Sequence, residues 1–482
     1  MFLVTLLFSG SLCISAQELY NQSFDCFSML VGKKASADGS VIFAHNEDTG
    51  PSQVNYFQVP RMKHNPGEII TLQGGGIVPQ VSETFAYLWI NIPVCDVCDS
   101  YTNEHGVAIG SDGCPSWEDK PELTDGGIVF WLRRIVAERA RTAREGVKIA
   151  GELIDKFGYA SSGRTYIIAD SLEGWFLSAV IGKHWVARRV PDDQVAIVAN
   201  CYTLQEINLN DTVNFLGSPD IIDYAIKRGW YDPAKDGEFR FARAYTSPGS
   251  LNHPGNTGRM WRGARLVTGA QPDSTKVYPF SVKPGKKLSV QDVISFQRDY
   301  YKTAWPVVYG NDGRLIPHAT GDNSLSGNGT QYSCVVHLRN WLPQAIRTVV
   351  WISPYRPEVQ TYTPWYPAIS IIPSVYANGD YQSALQVQFN PQGKLEYLDS
   401  KLAFRRFVAL AKWADQDYGA RAPVILKAMQ ANESEAFEML SIAEKAYVET
   451  CQSDPGASDR LINKFTQKVA AKAYKTAGGL LK

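Results

Sequence analysis

The stretch from Asp25 to Asp48 constrains this chain more than any other. Two apolar runs, Phe27–Val31 and Val41–Ala44, flank a turn-rich centre. Within that centre Asp38-Gly39 supplies the positive-φ residue that a tight return between strands needs. The pattern predicts a β-hairpin. One outer end carries Cys26 and the other carries His45-Asn46-Glu47-Asp48. A hairpin brings its outer ends together, so a thiol meets polar and acidic side chains, and the two ends become candidate active-site residues.

The surroundings of Cys26 sharpen that reading. Residues 2–14 form an apolar stretch too short to span a bilayer, and Ser15-Ala16 offers a small-residue cleavage site. We expect a signal peptide over 1–16, export to the periplasm or the medium, and a propeptide over 17–25. A cut between Asp25 and Cys26 would then free an α-amine on Cys26. Such an amine titrates at about 7.7–8.0 and can take the thiol proton with no histidine involved. A cysteine opening an apolar strand is also an ordinary buried hydrophobe. The residues alone leave both readings open.

The run Cys26-x3-Leu-Val-Gly-Lys-Lys-Ala-Ser-x-Asp-Gly-Ser, followed by Asn46-Glu47-Asp48, resembles the opening of mature dipeptidases of family C69. These are cysteine N-terminal-nucleophile hydrolases whose domain secernins share. The layout is more distantly similar to penicillin V acylase and bile salt hydrolase. The resemblance runs from Cys26 to the region of Glu449 and implies an α+β fold, an αββα sandwich with additional C-terminal helices. It implies one hydrolase domain over 26–450 and a helical tail over 451–482. It also implies Cys26 as the nucleophile and Asp48 as the residue that fixes its geometry. In the acylase group that Asp ends an Arg-Asn-x-Asp segment, whereas here His45 stands where the Arg is usual. A histidine there is charged only below about pH 6.5 unless its surroundings shift it.

Three further positions follow from residues and resemblance together. The strand-like run Gln194–Ala199 ends in Asn200, which can aim an amide N–H at an oxyanion or simply cap a turn. Placement after this strand is similar to the oxyanion Asn of bile salt hydrolases. The turn Asn103-Glu104-His105-Gly106 before a short strand is a plain β-turn or, by analogy, the approach to a backbone N–H near Gly113 that faces the substrate carbonyl. Phe239-Arg240-Phe241-Ala242-Arg243 resembles the Arg-bearing segment of the acylases, with Arg240 the better match and Arg243 the second. Either arginine could also pair with a surface carboxylate.

Composition narrows the partners. Lys plus Arg and Asp plus Glu both number 48, so the formal net charge is zero and neither nucleic acid nor an anionic membrane is indicated. A dipeptide fits as substrate, with Glu47 either holding its ammonium group or buried in a salt bridge behind the site. No cofactor is implied, and the seven histidines are scattered rather than spaced as metal ligands. A homo-oligomer stays open. Setting aside Cys13 and Cys26 leaves Cys95, Cys98, Cys114, Cys201, Cys334 and Cys451, which an exported protein could pair. Cys95-x-x-Cys98 suits a local disulfide or two thiols better than a metal site.

Along the rest of the chain, helices are expected within 125–157, successive antiparallel strands over 166–170, 174–180, 184–187 and 194–199, and loop over 205–275. Ser289 reads as a helix cap, 327–352 as a returning hairpin, and 355–373, dense in Pro and Tyr, as a rigid surface loop. Residues 402–450 read as helical and 454–482 as an exposed helix. The functions this pattern supports are a cysteine dipeptidase first, a linear amide acylase of the same fold second, and a non-catalytic secernin-like binding protein third.

Overall fold

The computed structural model describes residues 26–50, 52–93, 98–129, 131–300, 324–388 and 401–482. The expected signal peptide and propeptide, together with Cys95, therefore lie outside the described residues. The expected hairpin is present: strand β1 (Phe27–Val31) and strand β2 (Val41–Asp48) pair antiparallel, with Ser28 opposite His45 and Val31 opposite Ile42. Gly39 sits in the turn at φ 87°. Both strands are buried along their whole length, which accounts for their apolar runs and places the polar end His45–Asp48 in the interior as well.

The hairpin forms the middle of a seven-stranded sheet. Val195–Val198 lies beside β1, Thr330–Leu338 lies beside β2, and Thr348–Pro354 and Thr363–Trp365 continue outward. A second sheet of eight strands includes Arg164–Ala169 and Ala108–Gly113, which pack over the hairpin. Helices Trp131–Arg139 and Ala143–Phe157 cover the outer face of this second sheet. Thr142 caps the longer of them by accepting from the Glu145 N–H, and Gly158 ends it at φ 79°. Helices Pro254–Thr268 and Val290–Gln297 cover the first sheet. The result is the four-layer αββα arrangement, with further helices after residue 402.

Four segments depart from the sequence reading, each for a packing reason. Val195–Val198 follows three strands of the eight-stranded sheet yet crosses to the other sheet and pairs with β1. The crossing chain runs against Gly32, where a Cβ would lie 2.5 Å from the carbonyl oxygens of Pro191 and Asp192. Only glycine admits that approach, and the Gly32 N–H donates to the Gln194 carbonyl across it. The segment read as loop contains the helix Pro254–Thr268. Its three glycines lower its helix propensity, but packing outweighs propensity here. Gly263 rests against the Phe27 ring, with no room for a larger residue.

Residues 355–373 are the third departure. Most of this stretch is buried beneath the C-terminal helices, and it holds the edge strand Thr363–Trp365. Its polar groups find partners inside the protein. The buried Arg356 is met by Glu358 and Asp415, the Tyr362 N–H donates to Glu433, and the Tyr366 hydroxyl donates to Glu444. The last helix, Pro455–Leu480, is likewise no exposed tail, since it buries Ile462, Phe465, Val469 and Ala473 against helix Tyr418–Thr450 and the edge strand. Cys114, Cys201, Cys334 and Cys451 carry free thiols, so the pairing open to them in an exported chain is not made. Among the described residues, no helix is long and apolar enough to cross a membrane.

Candidate active site

The hairpin register decides which side chains meet. Phe27 lies opposite Asn46 and Ser28 opposite His45, so Cys26 comes level with Glu47. Successive strand residues face opposite sides. Ser28, His45 and Glu47 therefore point with the thiol toward the eight-stranded sheet. Asn46 points the other way, where its amide donates to the Gln297 and Leu325 carbonyls at 3.0 and 2.6 Å.

A buried polar chain results. The Cys26 Sγ–H donates to Glu47 Oε1 at 3.2 Å, and His45 Nε2 lies 3.1 Å from Glu47 Oε2. On the far side of the imidazole, Nδ1 is 2.8 Å from Ser28 Oγ, whose hydroxyl donates to Asp112 Oδ2 at 2.5 Å. Asp112 belongs to strand Ala108–Gly113 of the facing sheet, so the chain bridges the two layers. Next to it, Ser111 Oγ accepts from two buried arginines, Arg133 and Arg164, each at 3.1 Å. Burial pushes the Cys26 thiol well above its ordinary range, and the charges of Glu47, Asp112 and Asp48 push it further. A hydrogen bond from the Asp48 main chain works in the opposite direction. Burial also lifts the Asp112 carboxyl to about 6, against the pull of His45 and the Ser28 hydrogen bond.

This geometry reassigns the two acidic residues. The resemblance sets Asp48 toward the thiol and leaves Glu47 either buried in a salt bridge behind the site or reaching the substrate's ammonium. Instead Glu47 takes the thiol hydrogen bond and commits its other oxygen to His45, because the pairing places it level with Cys26. Asp48 acts on the thiol through its main chain and its charge. A register shift in the neighbouring strand, where Thr330 pairs with Asp48 and Tyr332 with Glu47, falls at this point.

A second group closes on Cys26 from the other side. Asn200 follows Val195–Val198 and adopts a left-handed backbone, φ 51°, a conformation Asn tolerates better than most residues. Its Nδ2 donates to the Gly113 carbonyl at 2.9 Å, and its Oδ1 accepts from Arg259 Nη2 at 2.9 Å. Arg259 Nη1 also donates to the Cys26 carbonyl at 2.7 Å, and Arg259 Nη2 donates to Asn256 Oδ1 at 3.1 Å. One buried guanidinium thus ties the Cys26 backbone to the Asn200 amide. Gly113 is brought to this group through its carbonyl, which accepts from Asn200.

Arg240 is not brought to this cluster. It precedes the short helix Phe241–Tyr245 and stands on the wall of an 830 Å³ cleft that also takes in Cys201, Tyr202, Met260 and Trp261. Arg243 pairs with Asp236 at 3.0 Å. Sequence reasoning missed Ser28, Asp112 and Arg259. Ser28 was recoverable, since it lies two residues from Cys26 on the same strand face. Arg259 was hidden by reading its helix as loop. Nothing in the sequence pairs Asp112 with a residue more than sixty positions away.

The family model for peptidase family C69 matches residues 25–73 and 117–397. A probable dipeptidase of Salmonella dublin is 30% identical over 358 residues, which cover 71% of this chain and 80% of that protein. A dipeptidase of Bifidobacterium longum is 26% identical over 395 residues, with 72% of each chain covered. Among solved structures, penicillin V acylase from Agrobacterium tumefaciens aligns over 71% of this chain and 85% of its own, with 13% identity and a TM-score of 0.34.

Proposed function

From the premise that the chain belongs to peptidase family C69, we propose that it is an exported dipeptidase whose nucleophile is Cys26, armed by its own α-amine once residues 1–25 have been removed. The reading is carried by one arrangement. The residue that would become the N-terminus has its sulfur held by Glu47 and its carbonyl held by Arg259, while the same arginine anchors Asn200 beside it.

In the mature protein the Cys26 α-amine accepts the thiol proton, and the thiolate attacks the carbonyl carbon of the dipeptide. The developing oxyanion is stabilised by an Asn200 amide N–H, a donor whose kind is worth about 2.7–4 kcal/mol. The proton passes from the α-amine to the leaving nitrogen, the C–N bond breaks, and the first amino acid stays as a thioester on Cys26. Water, deprotonated by the same amine, then releases it and restores the thiol. Maturation also changes the electrostatics. In the uncut chain burial together with the charges of Glu47, Asp112 and Asp48 holds the thiol protonated, and the Cys26 nitrogen is a neutral amide. Cleavage replaces it with a group that can carry positive charge, which opposes Glu47, Asp112 and Asp48 and makes the thiolate easier to form.

The substrate class is tested by comparing free dipeptides with the same dipeptides N-acetylated. A dipeptidase turns over the free forms faster, and a thiol alkylating agent abolishes the activity. Faster cleavage of the acylated forms would replace this reading with that of an amide acylase.

A further inference from the structure

The α-amine cannot serve the first reaction of this chain. As synthesised, the Cys26 nitrogen is part of the Asp25–Cys26 peptide bond and has no lone pair free to accept a proton. The inference rests on the proposed function and adds that Cys26 makes that cut itself, in which case its proton must go elsewhere. Glu47 Oε1 is the carboxylate oxygen placed on the sulfur, at 3.2 Å. Glu47 and His45 behind it are both only 1% exposed, so no bulk water competes for the thiol proton there.

The chain behind Glu47 can hold a proton in two arrangements with every hydrogen bond kept. In one, Asp112 is ionised, the Ser28 hydroxyl donates to it, and His45 donates from Nδ1 to Ser28 and from Nε2 to Glu47. In the other, Asp112 carries the proton and donates to Ser28, which donates to His45 Nδ1, while His45 Nε2 still donates to Glu47. Both arrangements use the same contacts, 2.5 Å between Ser28 and Asp112, 2.8 Å between Ser28 and His45, and 3.1 Å between His45 and Glu47. The charge facing Glu47 can therefore be adjusted without moving a heavy atom.

We propose that Glu47 is the general base of self-cleavage, taking the Cys26 thiol proton before the α-amine exists, with His45 positioning its carboxylate. The proton moves from Sγ to Glu47 Oε1 as sulfur bonds to the Asp25 carbonyl carbon. The bond from that carbon to the Cys26 nitrogen then breaks, and Glu47 returns the proton to the nitrogen, which becomes the α-amine. Water hydrolyses the thioester to the Asp25 carboxylate and the free thiol. After this event the amine takes over as base, and Glu47 remains a hydrogen-bond acceptor for the thiol.

The test uses the full chain with a site for an added protease placed immediately before Cys26, so the mature N-terminus can be produced independently. Glu47→Gln should slow self-cleavage, followed by intact mass, at least a hundredfold. The externally cut Glu47→Gln protein should lose about tenfold in dipeptide turnover, a far smaller defect, which also demonstrates that it folds. Self-cleavage of Glu47→Gln at the unmodified rate overturns the proposal. So does an externally cut protein with no turnover, because Glu47 would then serve hydrolysis or folding and not the first cut in particular. His45→Gln should shift the pH dependence of self-cleavage, and an unshifted profile removes His45 from the proposal. Normal self-cleavage by Cys26→Ala would instead defeat the underlying reading, whatever Glu47 does.

Discussion

Exchanging the two candidate arginines separates the arrangement seen here from the one suggested by local sequence. Arg259 is 3% exposed and holds the Cys26 carbonyl at 2.7 Å, Asn200 Oδ1 at 2.9 Å and Asn256 Oδ1 at 3.1 Å. A lysine at that position has no planar fork and cannot serve three acceptors lying in different directions. Losing two charged hydrogen bonds, at about 1.5–3 kcal/mol each, should lower stability by about 3–6 kcal/mol in Arg259→Lys. The Asn200 amide would lose its anchor as well. Misplacing one oxyanion donor costs about a hundredfold to a thousandfold in kcat. Arg240→Ala should stay within about 0.5 kcal/mol of the unmodified protein, as surface substitutions generally do, and should change turnover by less than about twofold. Urea unfolding read by tryptophan fluorescence gives the stabilities, and dipeptide turnover at saturating substrate gives kcat. Full activity in a folded Arg259→Lys protein, or a hundredfold loss in Arg240→Ala, would refute the reasoning.

Two other perturbations probe the layers that position the site. Gly32→Ala would drive a Cβ to 2.5 Å from two main-chain carbonyl oxygens; it should cost about 1–3 kcal/mol by overpacking and reduce turnover by displacing the strand that leads to Asn200, and unchanged thermal unfolding would show that the crossing is not tight. Asp99 is fully buried, and burial lifts its carboxyl to about 7, so between about pH 4 and 7 the unfolded chain is ionised where the folded one is protonated, and this group's contribution to stability falls as pH rises. Asp99→Asn removes that dependence, so its stability relative to the unmodified protein should improve by about 2–3 kcal/mol from pH 5 to pH 8, and a pH-independent difference would contradict it.

Much of this architecture was legible because local pattern and tertiary role agree in the hairpin. Its apolar runs, its Asp38-Gly39 turn and its polar ends specify two strands and bring Cys26 to the His45–Asp48 segment without help from the rest of the chain. Which acid faces the thiol was less legible. Glu47 and Asp48 are adjacent, and a shift of one residue in register exchanges their faces. Resemblance pointed to Asp48, whereas the pairing of Ser28 with His45 puts Glu47 on the sulfur. Helix Pro254–Thr268 was illegible for a different reason. Gly255, Gly258 and Gly263 argue against a helix locally, yet Gly263 is what lets the helix lie on Phe27 and carry Arg259 to Cys26. The Pro- and Tyr-rich stretch after residue 355 has the composition of a surface loop. It is buried because the C-terminal helices bring Glu433 and Glu444 to its polar groups, a long-range match that no local window contains.

The central claim is that hydrolysis depends on Cys26 being the first residue of the chain. The most direct test measures dipeptide turnover in two preparations of one protein, the full chain held uncut and the same chain after cleavage before Cys26, with the N-terminus of each established by mass. Turnover should be confined to the chain that begins at Cys26 and should rise with pH through about 7–8, where an α-amine loses its proton. Equal turnover by the uncut chain would contradict the account, because a Cys26 nitrogen still held in a peptide bond cannot act as the base.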